Sequence, residues 1–125
     1  MMVWLAVIVG GAVGTAARHG VNVWFARHLA QPIPYATAAV NLIGAGAIGV
    51  LAGALAAGRV QMPATVRAFV FVGLLGGFTT FSSYMLDTLT LGYTGEPGLA
   101  VANIAAQTLL GLAAVWAGYY LGVAL

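Results

Sequence analysis

Long apolar segments separated by short polar links set the pattern of this chain. Four segments are near or above the ~20 residues that a helix needs to cross a bilayer; they are residues 2–25, 35–57, 65–91 and 98–123. The links, residues 26–34, 58–64 and 92–97, contain the proline, glycine and charged residues that end helices. No link is long enough to fold by itself. The pattern therefore predicts an all-α membrane protein in which residues 1–125 form one domain of four transmembrane helices.

Composition agrees with a location in the bilayer. Hydrophobic residues make up 62% of the chain and charged residues 5%, and the mean hydropathy is +1.04. A soluble domain of this size needs a more charged surface. No basic residue precedes the first apolar segment, so we expect this helix to remain in the mature protein and not to act as a cleaved signal. The chain has no cysteine, which excludes disulfides and thiolate chemistry, and its net charge of +2 is too small for a nucleic-acid surface.

One stretch of the third segment does not suit a helix. Gly76 and Gly77 each destabilise a helix by about 1 kcal/mol, and the hydroxyl residues that follow compete for backbone hydrogen bonds. We therefore expect helix three to be broken between Gly76 and Thr80. Irregular backbone at membrane depth persists only where protein or a water-filled cavity satisfies its polar groups, so the break is a candidate site. Carbonyls released between Gly76 and Thr79 would suit a small hard cation, while a kink with its hydroxyls bonded back to the helix explains the pattern equally well.

Two polar residues in the second segment and two aromatic residues after the break indicate an anion pathway. Asn41, with Thr37 one turn before it, offers N–H donors deep in a spanning helix. The alternative is a hydrogen bond between helices, which asparagine in a spanning helix often makes. Phe81 and Tyr84 share one helical face, and the electropositive edge of an aromatic ring can face an anion. Aromatic pairs with this spacing are more often core or lipid-facing residues.

Other polar positions have both structural and functional interpretations. Arg18 either extends its side chain to the lipid headgroups or supplies a fixed positive charge to a vestibule. Asp87, the only acid inside a predicted helix, either lies near the membrane interface or, as an intramembrane carboxylate, is a functional candidate by default. Asn103 and Gln107 are interpreted as hydrogen-bonding residues between helices. Thr108 is the only hydroxyl near the middle of the fourth segment.

Small residues recur every four positions in the first two segments. This spacing places them on one helical face and indicates close packing of helices. The positions are Gly10 and Gly14 in the first segment and Ala45, Gly49, Gly53 and Ala57 in the second.

From Gly76 to Ser82 the chain resembles the fluoride channels of the Fluc (CrcB) family. The resemblance covers essentially the whole chain, including the glycines that precede Arg18, then Thr37, and the Val40-Asn41-Leu42 motif. It implies a homodimer of two antiparallel subunits with dual topology and two fluoride pathways along the interface. It also implies a bacterial inner-membrane location.

The resemblance assigns roles to individual residues. Asn41 matches the pore asparagine, Phe81 the first fluoride-facing phenylalanine and Arg18 the vestibule arginine. A structural Na⁺ at the dimer centre is implied, held by the backbone carbonyls of Gly76 and Thr79. Together with the residues read from the pattern, the expected pathway residues are Thr37, Asn41, Ser82, Thr108, Phe81, Tyr84 and Arg18.

The chain departs from the family pattern at two positions. Tyr84 stands where a second phenylalanine is usual, and its added hydroxyl needs a hydrogen-bond partner. Family members often carry two pore hydroxyls one turn apart in helix four, whereas here Leu112 follows Thr108 at that spacing. The polar track is therefore expected to be shorter or to be built from other residues.

Two other function classes fit a short four-helix membrane protein. A proton-coupled multidrug exporter would need a carboxylate in helix one, where this chain has Arg18 and no acid. A purely structural subunit would explain the glycines but not Asn41 beside a hydroxyl-rich break. An enzyme is disfavoured because the sequence has no nucleophile–base pair, metal-ligand set or phosphate loop.

The distribution of arginines leaves the orientation in the membrane balanced. Arg27, with Arg18 in reach of the same side, opposes Arg59 and Arg67. Because the positive-inside rule counts basic residues in short loops, neither orientation should dominate. We therefore expect both orientations to be inserted, as an antiparallel dimer requires.

Overall fold

The protein is an all-helical bundle, and its computed structural model describes residues 1–29 and 34–125. Five helices follow one another in the described residues: α1 (Met2–His28), α2 (Tyr35–Ala56), α3 (residues 64–78), α4 (Phe81–Tyr93) and α5 (Pro97–Ala124). Helices α3 and α4 together make one membrane span, so four spans are long and apolar enough to cross a bilayer. The predicted number of spans is confirmed. Their ends shift by a few residues at most, while the proline-containing residues 31–33 of the first link lie outside the described residues.

Helix ends coincide with residues that cannot continue a helix. After α2, Gly58 adopts a φ of 70°, and its N–H bonds the Leu55 carbonyl at 3.1 Å. After α4, Gly95 adopts a φ of 88°. Glycine tolerates this left-handed conformation because it has no Cβ. Pro97 opens α5, a position where its missing N–H is not needed.

Helix α3 differs from the sequence-based prediction of an ordinary helix that breaks at Gly76. It consists of an α-helical turn Ala64–Arg67, a π-helical segment Ala68–Leu75 and a last turn Gly76–Phe78. A π-helix inside a helix often marks a functional region. The apolar sequence of this segment has no feature that distinguishes π from α geometry, so sequence reasoning missed it.

Two glycine seams hold the bundle together. Helix α1 packs along α3, where a Cβ on Gly10 would lie 2.5 Å from the Phe69 carbonyl oxygen. Helix α2 packs along α5, where a Cβ on Gly49 or Gly53 would overlap backbone carbonyls of the opposing helix. Close packing is thus confirmed for Gly10, Gly14, Gly49 and Gly53. Ala45 lines a groove instead, and Ala57 is exposed beyond the end of α2.

The outer surface of the bundle is apolar, as a lipid-facing surface should be. Large hydrophobic side chains such as Trp4, Ile43 and Leu109 are more than half exposed. Few side chains are fully buried within a single chain, and Val40, next to Asn41, is the largest of them in the described residues. The residues of the candidate site meet around this point, where α2 faces the junction between α3 and α4.

Candidate functional site

Thr79 and Thr80 are extended and separate α3 from α4. Their backbone angles are φ −85°, ψ 162° and φ −153°, ψ 119°, respectively. The glycines before them remain helical, so the non-helical part is shorter than the expected range from Gly76 to Thr80. Gly77 has a packing function instead, since a Cβ there would lie 2.7 Å from the Gly11 carbonyl oxygen. The cost of glycine in a helix is thus offset by close contact with α1.

The two extended residues end one helix and begin the next. Thr79 directs both its N–H and its hydroxyl to the Leu75 carbonyl, at 3.0 and 2.9 Å. Thr80 is the N-cap of α4, because its hydroxyl accepts a hydrogen bond from the Ser83 N–H at 3.2 Å. The Thr80 hydroxyl thereby replaces the helical acceptor of the Ser83 N–H, whereas the Thr79 hydroxyl adds a second donor to the Leu75 carbonyl.

Asn41 pairs with the backbone of Thr80 through two hydrogen bonds. Its Oδ1 accepts from the Thr80 N–H at 2.8 Å, and its Nδ2 donates to the Thr80 carbonyl at 3.0 Å. A backbone residue outside a helix needs such partners in a bilayer. Asn41 therefore stabilises the junction between α3 and α4 from the neighbouring helix α2.

The same hydrogen bonds change the surroundings of two carbonyls predicted to bind a cation. In a continuous α-helix the Thr80 N–H would bond the Gly76 carbonyl, and the Ser83 N–H would bond the Thr79 carbonyl. These two N–H groups instead donate to Asn41 Oδ1 and Thr80 Oγ1. Gly76 is also exposed. One chain thus offers two carbonyl oxygens whose helical donors are directed elsewhere, and the described residues contain no cluster of three or more His, Asp or Glu side chains for a metal.

A network of buried amides continues from Asn41 into α5. Asn41 Nδ2 donates to Gln107 Oε1 at 2.8 Å, and Gln107 Nε2 donates to Asn103 Oδ1 at 2.9 Å. Asn103 Nδ2 reaches Thr88 Oγ1 on α4 at 2.8 Å. Hydrogen bonding between helices by Asn103 and Gln107 is therefore confirmed. Their spacing of four residues identified the pair, but Asn41 as the partner of Gln107 depends on tertiary structure and was missed.

The amide of Asn41 is fully engaged by protein groups. Both of its N–H groups donate, one to the Thr80 carbonyl and one to Gln107 Oε1. The prediction that these donors suit an anion stays a prediction, because in the single chain protein acceptors occupy both of them. An anion at Asn41 would have to replace one of the two acceptors.

Asn41 lines two grooves. The first has a volume of about 340 Å³ and is lined by Asn41, Ala45, Thr79, Thr80, Phe81, Tyr84, Gln107, Thr108 and Gly111. The second, of about 250 Å³, is lined by Asn41, Gly44, Ala45, Ile48, Phe71, Leu75, Gly76 and Thr79. Four expected pathway residues thus share the first groove, and both carbonyl residues share the second.

The two aromatic residues of α4 differ in exposure. Phe81 is 73% exposed and Tyr84 is 7% exposed, and their rings meet edge to face with centroids 5.8 Å apart. The Tyr84 hydroxyl donates to the Ile104 carbonyl at 3.2 Å and lies 3.3 Å from Thr108 Oγ1. The hydroxyl that departs from the family pattern therefore has partners on α5. The hydroxyls of Tyr84 on α4 and Thr108 on α5 are therefore adjacent in the first groove.

Three expected pathway residues lie outside the two grooves. Thr37 is buried and donates to Asp87 Oδ2 at 2.6 Å, which joins α2 to α4 one turn away from Asn41. Ser82 is exposed, with its hydroxyl 3.4 Å from that of Thr80. Arg18 is half-buried on α1. The structure therefore brings Asn41, Phe81, Tyr84 and Thr108 together but not Thr37, Ser82 or Arg18.

Comparison with known proteins gives consistent matches along the chain. The model of a family described as CrcB-like protein, Camphor Resistance (CrcB), matches residues 5–119. The chain is 44% identical to the fluoride-specific ion channel FluC of Parabacteroides distasonis, over 92% of this chain and 88% of that protein. Similar matches occur with FluC of Opitutus terrae, 40% identical over 100% and 96% of the two chains. FluC of Azotobacter vinelandii is 44% identical over 95% of each chain.

Proposed function

The chain belongs to the CrcB family, and from that premise we propose that it is a fluoride-selective channel that lets fluoride leave the cell passively. Its four spans make it a multi-pass membrane protein. The relatives described above are bacterial proteins named fluoride-specific ion channels, which supports a place in a bacterial inner membrane. The family is a class of ion channels, not of enzymes.

The first groove carries this proposal. It combines the amide of Asn41, the hydroxyls of Tyr84 and Thr108, and the exposed ring of Phe81. Fluoride is a small, strongly hydrated anion, so a selective pathway must replace its water with closely spaced donors. Hydroxyl and amide N–H groups donate hydrogen bonds, and the edge of an aromatic ring is electropositive. The groove offers these groups without a permanent charge that would hold the ion.

Within this pathway Asn41 is the central residue, and Phe81 and Tyr84 form its aromatic wall. We also assign Thr108, Ser82 and Thr37 to the pathway; Thr108 lines the first groove, whereas Ser82 and Thr37 lie outside it. We assign Arg18 to a vestibule, where a positive charge would raise the local concentration of anions. The hydrogen-bonding, aromatic and charged groups of these residues support the assigned roles. Measurements of fluoride flux in variants with one substitution each test them.

A liposome flux assay tests the proposal. Purified protein should release fluoride from loaded vesicles under its own gradient, while chloride from matched vesicles stays inside. A proton-coupled exporter would instead move organic cations and respond to a pH gradient, and a structural subunit would release neither halide. Equal release of fluoride and chloride, or none of either, would refute fluoride-selective conduction.

We also propose that two antiparallel copies form the channel and contain two pathways. Both grooves are open in the single chain, which suits completion by a partner. The arginines near opposite membrane sides are balanced, so copies of either orientation can be inserted. A two-fold axis in the membrane plane would bring two α3–α4 junctions together. A reporter fused to the C-terminus should give signal from both membrane sides, and signal from a single side argues against the dimer.

The family resemblance further implies a structural Na⁺ at the axis of this dimer, and we propose the carbonyls of Gly76 and Thr79 as its ligands. The redirected N–H groups of Thr80 and Ser83 support this choice, because both carbonyls then lack their helical donors. Two chains would supply four hard oxygens without formal charge. Replacing Na⁺ by a large organic cation should destabilise the purified dimer; a dimer with the same thermal stability in both solutions would exclude this ion as a structural component.

A further inference from the structure

The two N–H groups of Asn41 are held by acceptors of different kinds, a backbone carbonyl and a side-chain oxygen. The first acceptor is the Thr80 carbonyl, 3.0 Å away. The Thr80 N–H also bonds Asn41 Oδ1, so two hydrogen bonds hold the Asn41 amide to the backbone of this one residue. The other N–H is held only by the side chain of Gln107, at 2.8 Å. Gln107 also lines the first groove. An anion in this groove therefore obtains an N–H of Asn41 by replacing Gln107 Oε1 more easily than by replacing the Thr80 carbonyl.

The rest of the amide network fixes which end of Gln107 faces Asn41. Its Nε2 donates to Asn103 Oδ1, Asn103 Nδ2 donates to Thr88 Oγ1, and this hydroxyl donates to the Tyr84 carbonyl at 2.8 Å. A carbonyl can only accept, and the Thr80 N–H at the opposite end of the network can only donate. The direction of every bond between these two ends is thereby set. Gln107 presents its oxygen, and not its NH₂ group, to Asn41.

We infer that Gln107 is a competing acceptor that sets the affinity of the pathway for fluoride. It holds one Asn41 N–H in the absence of the anion, and fluoride reaches this N–H by displacing the Gln107 oxygen. The inference rests on the proposed fluoride conduction. A held donor avoids the cost of an unpaired N–H at this depth. Gln107 holds the Asn41 N–H more tightly than water would, and the difference is about the net free energy of one hydrogen bond. Gln107 therefore lowers the affinity of Asn41 for fluoride about fivefold.

The concentration dependence of fluoride flux in the full-length protein tests this inference. Gln107→Met removes the acceptor at similar side-chain length, so the half-saturating fluoride concentration should fall about fivefold. Gln61→Met, the same substitution at an exposed position outside both grooves, is the matched control and should leave it unchanged. If Gln107 instead donated to fluoride, the half-saturating concentration would rise. If it only packed helices together, the yield of folded protein would fall and the concentration would stay the same; either outcome overturns the inference.

A second variant keeps the test independent of the folding of Gln107→Met. Asn103→Leu removes the acceptor that orients Gln107 but lies outside both grooves. The loosened Gln107 should compete less, and the half-saturating concentration should fall about twofold. An unchanged or higher value contradicts the assigned role of the network. Absence of fluoride flux from the unsubstituted protein would refute the proposed function itself, whereas normal flux with an unchanged half-saturating concentration in Gln107→Met refutes only the inference.

Discussion

Helix α2 contacts α5 in two regions of opposite chemistry. Towards its C-terminal end, Gly49 and Gly53 meet the α5 backbone around Val115 and Tyr119. Nearer its N-terminal end, Asn41 meets Gln107 through a hydrogen bond between side chains. The glycine seam forms because glycine has no Cβ, so a larger residue does not fit there without separating the two helices. The amide contact depends on directional bonds that another partner can take over, which is what a site for a moving ion requires.

The largest loss of stability is expected from a substitution in the glycine seam. In Gly53→Ala the new Cβ would overlap the Tyr119 carbonyl, and backbone cannot move aside as a flexible side chain can. Helix α5 would have to separate from α2, with a loss of stability of about 3 kcal/mol, the upper end for overpacking. The yield of folded protein after purification in detergent should fall sharply.

A matched glycine serves as the control for that prediction. Gly92 in α4 has no heavy atom within 4 Å of its would-be Cβ. Gly92→Ala should therefore retain the yield and thermal stability of the unsubstituted protein. Equal yields of the two variants would show that the seam is not a determinant of the fold.

An intermediate effect separates the capping role of Thr80 from its pairing with Asn41. Thr80→Val removes the hydroxyl that caps α4 but keeps the backbone groups that bond Asn41. The loss of an N-cap costs about 1 kcal/mol, so the melting temperature should fall by about 4 °C. Thr80→Ser keeps the hydroxyl and should melt near the unsubstituted protein. Fluoride flux per amount of folded protein should change little, and its complete loss in Thr80→Val would mean that the hydroxyl itself lies in the pathway.

The smallest expected effect concerns the hydroxyl of Tyr84. Tyr84→Phe removes a neutral donor whose acceptor, the Ile104 carbonyl, belongs to the helix α5. The Thr108 hydroxyl loses a neighbour at 3.3 Å but keeps its place in the open groove. Fluoride flux should therefore change by less than about threefold, consistent with one neutral hydrogen bond. A tenfold loss, measured on protein of normal stability, would make this hydroxyl a required donor.

Features with a local cause could be predicted from the sequence. Hydropathy gives the four spans, because bilayer thickness fixes the number of apolar residues that a span needs. A four-residue spacing of glycines gives a helical face, which is how the seams at Gly10 and Gly49 were anticipated. The π-helical part of α3 could not be predicted, since its apolar residues are compatible with either helical geometry.

Features that depend on tertiary neighbours were only partly accessible. Gly77 disfavours a helix by intrinsic propensity, yet it stays helical because its backbone packs against Gly11. Asn41 was identified by its depth, but its engagement by Thr80 and by Gln107, 66 positions away, follows from the packing of three helices. Thr37 and Asn41 share a face of α2, yet Asp87 takes the Thr37 hydroxyl. Spacing identifies the polar residues of a helix but not their partners.

Fluoride efflux through Asn41→Asp tests the central claim most directly. Asp keeps an oxygen to accept the Thr80 N–H but loses both N–H donors and places a negative charge beside the first groove. An anion pathway at this position predicts that efflux from liposomes falls by about a hundredfold or more, since repulsion of like charges in a low-dielectric pathway amounts to several kcal/mol. The unsubstituted protein, reconstituted alongside, should release fluoride and retain chloride. Normal fluoride efflux by an Asn41→Asp protein that purifies as the same folded oligomer would contradict the claim.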